Sequence, residues 1–157
     1  MKYLSFMFAP ALLAAVISLG AASSVATYND TVNGSQTAAP EAEGIALNLT
    51  AAGDLPGMTR LTLVRTNSNV TAGSFTMTVL PQNADAKSSE RGTLTGTVSG
   101  GAVSLNTDGT LASASSVQVT IHSGTGEYSG VSGAATINVS SNAENPSQLS
   151  GTLVLNF

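Results

Sequence analysis

Cysteine and tryptophan are both missing from this 157-residue chain, and histidine occurs once, at His122. Without cysteine there is no disulfide framework, no thiol chemistry and no thiolate zinc site, so the domain must hold together by packing and strand pairing alone. A single imidazole cannot build a histidine-based metal centre, and spacing puts no carboxylates beside it. His122 is an isolated general-base candidate at most, and on the polar face of its segment it reads as a solvated side chain. Charge is also scarce. Only 9% of residues are charged, and nine acids outweigh five bases for a net charge of −4. Such a surface repels phosphates and excludes nucleic acid as a partner. Aromatic residues make up 4% of the chain. Past the first two dozen positions they are Tyr28, Phe75, Tyr128 and Phe157, too few to offer the stacking platforms of a typical sugar-binding face.

The start of the chain carries the clearest pattern. Met1-Lys2-Tyr3 is followed by an apolar run from Leu4 to Leu19 and then by Gly20-Ala21-Ala22-Ser23-Ser24. A short cationic start, an apolar centre and small residues at the cleavage position make a secretory signal peptide. Small residues suit cleavage after Ala22 or after Ser24. The run is interrupted by Pro10 and falls short of the ~20 apolar residues that span a bilayer, and no basic stop-transfer cluster follows it. No cysteine follows for lipid attachment either. Residues 1–22 are therefore read as a cleaved signal peptide, which sends the protein outside the cell or to the periplasm or envelope. No membrane span is expected in the mature protein. Five N-x-Ser/Thr sequons, at Asn29, Asn33, Asn48, Asn69 and Asn138, are what chance gives in so Asn-, Ser- and Thr-rich a chain.

Residues 23–43 show little apolar periodicity beyond a short stretch from Val25 to Val32, and read as a flexible arm. From residue 44 the period becomes two. Eight segments alternate apolar and polar side chains, centred on Ile45–Leu49, Leu61–Leu63, Phe75–Val79, Leu94–Val98, Val103–Leu105, Val117–Ile121, Ala135–Val139 and Leu153–Phe157. Each sends one face to a core and a Thr/Asn/Ser face to water. Turn signals separate them, among them Asp108-Gly109, a tight-hairpin pair. No stretch after Gly44 has helical spacing. The pattern predicts an all-β domain over residues 44–157: an eight-stranded antiparallel up-and-down barrel, with a β-sandwich as the alternative.

The stretch Gly124-Thr125-Gly126-Glu127-Tyr128-Ser129-Gly130-Val131-Ser132-Gly133 packs four glycines into ten positions. Its G-x-G-x-x-x-G spacing before a strand rules out a dinucleotide cradle, which needs G-x-G-x-x-G before a helix. Gly124, Gly126, Gly130 and Gly133 instead read as a structural corner where the chain turns over the end of a barrel, with Tyr128 as a lid on the core. This stretch resembles the glycine corner of the allene oxide cyclase/dirigent-like barrels, above all their small exported bacterial members, and Gly92–Gly101 is similar to the strand paired with it. The resemblance implies an eight-stranded barrel with a lined interior, which in plant members guides fatty-acid epoxide cyclisation or phenoxy-radical coupling. Their polar cavity residues have no counterpart motif in this chain, so the fold carries over more readily than the activity.

No catalytic residue, metal site or cofactor motif is assigned. A nucleophile elbow of the G-x-S-x-G type and its following helix are absent. Asn83, Asp85 and Glu90, in the long loop from Pro81 to Gly92, lack calcium-loop spacing. Arg65 shares the parity of Leu61 and Leu63 and is expected at a barrel mouth, where with Tyr128 it is the candidate contact for a small hydrophobic ligand carrying an anionic head. A snorkelling rim charge is the plainer reading of Arg65. The functions left open are a non-catalytic exported barrel, an isomerase or coupling protein, and an adhesive surface protein.

Overall fold

The computed structural model describes residues 25–38, 44–82, 90–107, 109–112 and 114–157. The signal-peptide segment and residues 83–89 of the long loop lie outside them. Eight strands follow in chain order: β1 (Thr27–Ala38), β2 (Gly44–Gly53), β3 (Gly57–Thr66), β4 (Asn69–Val79), β5 (Gly92–Ala102), β6 (Ser115–Gly124), β7 (Gly133–Ser141) and β8 (Gln148–Asn156). Each pairs antiparallel with the next, and β8 pairs back onto β1, closing an up-and-down barrel. Closure leaves no sheet edge unpaired, which suits strands this long.

The period-two pattern explains the wall. Ile45, Leu47 and Leu49 of β2, Leu61 and Leu63 of β3, and Phe75, Met77 and Val79 of β4 are all buried, as are Val117, Val119 and Ile121 of β6, while their neighbours face outward. Apolar side chains point in and polar ones out, the reverse of a barrel embedded in lipid. Register shifts at Val64/Arg65, Thr95/Gly96 and Val98/Gly100 bend the sheet, as closing a barrel requires.

One strand is not where the sequence places it. Residues 27–38, read as part of a flexible arm, form β1, and the Val103–Leu105 segment is no barrel strand. The inward positions of β1 are Tyr28, Asp30, Val32, Gly34 and Gln36, so the strand has almost no apolar signature. It is held by its register with β2 and β8. Residues 103–107 and 109–112 instead fold under the barrel. Leu105 bridges to Leu111, and Val103 and Leu111 are buried beneath the core.

Buried side chains lie at both ends of the barrel. At the upper end, where β1 starts and β8 finishes, Leu55 from the β2–β3 link is buried, as is Tyr128 in a short 3-10 turn, Gly126–Tyr128. At the lower end Val103 and Leu111 are buried likewise. The Gln36 side chain clamps Leu111 there: its Nε2 donates to the Gly109 carbonyl at 2.7 Å and its Oε1 accepts from the Leu111 N–H at 2.9 Å. The inward side chains and those at the ends form one contiguous hydrophobic cluster.

Candidate functional site

Sequence reasoning singled out Arg65 and Tyr128, and the barrel places them at opposite ends. Arg65 is the penultimate residue of β3, at the lower rim, just after a bulge. Its Nη1 donates to the Asn67 carbonyl at 2.7 Å. That bond braces a two-residue turn in which Asn67 adopts φ 57°, a conformation asparagine tolerates. Arg65 is thus engaged in its own turn, although its Nε is buried with no hydrogen-bond partner among the described residues.

Tyr128 belongs to an aromatic cluster at the upper rim. Its ring meets Phe157 edge-on at 6.2 Å, Phe157 stacks on Tyr28 at 5.0 Å, and the Arg91 guanidinium lies 5.7 Å over the Tyr128 ring. Arg91 donates from Nε and Nη2 to Glu127 Oε2 at 2.9 and 2.7 Å. The Tyr128 hydroxyl is buried with no hydrogen-bond partner among the described residues. Burial pushes its ionisation up, partly opposed by the Arg91 charge. The glycine corner that carries this cluster is geometric. Gly126 and Gly130 adopt φ 60° and 80°. A Cβ at Gly124 would run into the Tyr128 backbone, and one at Gly133 into the Asn156 carbonyl.

Sequence reasoning missed Asp30. It is 3% exposed and points into the upper end from β1. Its Oδ1 accepts the Leu55 N–H at 2.9 Å, while Oδ2 is buried with no hydrogen-bond partner among the described residues. Asp54 fastens the same link from outside, its Oδ2 accepting the Asn29 N–H at 2.9 Å. Burial raises the Asp30 pKa above its ordinary value. The Leu55 hydrogen bond works against that rise, and the Asp54 charge adds to it. A carboxyl whose native pKa is raised favours folding most when protonated, and that contribution fades as pH climbs through the native value. Asp30→Asn keeps an oxygen for Leu55 and removes the charge. Its thermal midpoint should exceed that of the parent at pH 7, and the gap should close towards pH 4. A variant less stable at pH 7 would show that the charge is accommodated.

Surface grooves run along the outer wall. One of about 490 Å³ runs over β2–β4, one of about 320 Å³ over β2, β1 and β8, and one of about 220 Å³ over β7 and β8. His122 is also outside, with Nε2 2.7 Å from Thr97 Oγ1. Among the described residues no group of three or more His, Cys, Asp or Glu side chains could hold a metal ion. Comparison of the chain with protein-family models, with curated proteins and with solved structures finds no match.

Proposed function

We propose that the chain is an exported, non-catalytic β-barrel that acts at the cell surface or in the envelope through its outer wall, with the packed interior as scaffold. The observation that carries this reading is the interior itself: one contiguous, mostly aliphatic hydrophobic cluster with buried side chains at both ends. The signal-peptide pattern supports export. The glycine corner supports kinship with the allene oxide cyclase/dirigent-like barrels in fold. A cyclase or coupling role has less support, because the strands send one carboxylate, Asp30, inward. The acidic surface argues against nucleic acid.

A second reading, a small apolar ligand held inside the upper end, has one observation in its favour. Asp30 Oδ2 and the Tyr128 hydroxyl are both buried there without a hydrogen-bond partner among the described residues, and such groups call for an explanation.

Mass spectrometry of protein recovered from its own host tests both parts. The denatured mass should lack the first 22 or 24 residues, and the native mass should equal it. An uncleaved chain would refute export by this signal, and a lipid-sized adduct would favour the second reading.

A further inference from the structure

The outer wall over β2, β3 and β4 carries side chains that the scaffold does not use. Two rungs lie in register across the three strands: Asn48, Arg60 and Thr76 in one, Thr50, Met58 and Thr78 in the next. All six line the groove of about 490 Å³, a volume within the usual range for small-ligand sites. Opposed side chains on paired strands stand ~5 Å apart, and same-face neighbours along a strand ~7 Å apart. The six together therefore span roughly the footprint of one or two sugar rings.

None of the five polar side chains has a hydrogen-bond or ion-pair partner among the described residues. Arg60 is left without a carboxylate although the chain carries a net charge of −4. On the adjoining β5–β6 wall similar groups satisfy each other: Thr93 pairs with Thr125, Thr95 with Ser123, and Thr97 with His122. Met58 is 62% exposed in the middle of the groove, one of two large apolar side chains left so open among the described residues.

These groups define a ligand. A guanidinium takes a carboxylate bidentately. Three threonine hydroxyls and a carboxamide both donate and accept, matching a ring of hydroxyls. The Met58 thioether offers an apolar bed for a C–H face. An inorganic anion would use Arg60 and leave the rest idle, and an acidic peptide has too few hydroxyls for the threonines. From these contacts, and resting on the outer-wall reading above, we infer that the groove binds a single uronic-acid residue of a glycan, its one carboxylate on Arg60. The groove has no aromatic platform, so recognition would run through charge and hydroxyls rather than the stacking of a typical sugar-binding face.

The test is a titration of 15N-labelled protein with a galacturonic acid disaccharide, followed by amide shifts. Its neutral galactose counterpart and sodium acetate serve as controls. Saturable shifts confined to β2–β4 are expected with the acidic sugar and not with either control. Arg60→Gln should weaken binding about tenfold or more, the scale of one charged hydrogen-bonded contact. Thr76→Val should weaken it less, and both variants should keep the parent's dispersed spectrum because both side chains are on the outer wall. Equal response to acetate, undiminished binding in Arg60→Gln, or groove shifts that follow protein concentration without sugar would each overturn the assignment. The last outcome would make the occupant a second copy. Absence of binding, with a native mass still free of adduct, would sink the sugar assignment alone. Shifts centred on Tyr128 and Phe157 would sink the outer-wall reading with it.

Discussion

Cysteines introduced together at Thr31 and Thr152 should join as a disulfide within one molecule and raise the unfolding free energy by about 4 kcal/mol. The two threonines face each other across the β1–β8 seam, both outward and exposed. No native thiol competes, because the chain has no cysteine. Side chains opposed on antiparallel strands stand close to the separation a disulfide needs. The bridge would close a loop of more than a hundred residues, and for roughly 100 residues the chain-entropy model gives ~4.7 kcal/mol. Small losses come from bond strain and from the Thr31 hydroxyl's hydrogen bond to the Ala52 carbonyl. Non-reducing electrophoresis and urea unfolding, with and without reductant, provide the readout. A cross-link that forms only between molecules would mean that the first and last strands are not partners.

Phe75→Ala should cost about 3–5 kcal/mol, the range for deleting a buried aromatic ring. Phe75 is 1% exposed and stands opposite Leu61 on one side and Gly96 on the other. It is the one aromatic residue of the central wall, the other rings sitting at the upper rim. Repair from the neighbouring strand is blocked, since a Cβ at Gly96 would press on the Thr120 carbonyl and the Ile121 Cα. Gly96→Ala should therefore fail to rescue Phe75→Ala. The outward neighbour is the control: Thr76→Ala should shift stability by no more than about 0.5 kcal/mol. Urea midpoints decide it, and a cost near 1 kcal/mol for Phe75→Ala would indicate a loosely packed interior.

Much of the wall was legible because one periodicity governs it. Seven of the eight barrel strands alternate apolar and polar residues, and their inward positions are the buried ones. β1 escaped because its inward positions carry a tyrosine, an aspartate, a glycine, a glutamine and a single valine. Neighbouring strands, not its own apolar content, hold it in place. Val103 and Leu105 were misleading for the opposite reason. Two apolar residues flanking a serine describe a strand, and equally a link that tucks under a core.

That exchange of one strand matters for the site. In an up-and-down chain an extra strand reverses the direction of everything after it. Counting 103–105 as a strand would put Arg65 and Tyr128 at one mouth, whereas the observed order puts them at opposite ends. Leu55 was hidden inside a turn signal, and Asp30 inside a strand that did not look like one. The groove around Arg60 was invisible for a further reason. Outward Thr, Asn and Arg residues look alike in sequence, and only the register of three strands brings these together.

Xenon pressurisation of crystals tests most directly the claim that the interior is a packed core and binding takes place outside it. Xenon enters dry apolar cavities and marks them in a diffraction map. The account predicts no xenon site within the wall formed by Leu47, Phe75, Ile137 and Leu153. An ordered xenon atom among those side chains would contradict it and return the ligand to the inside of the barrel.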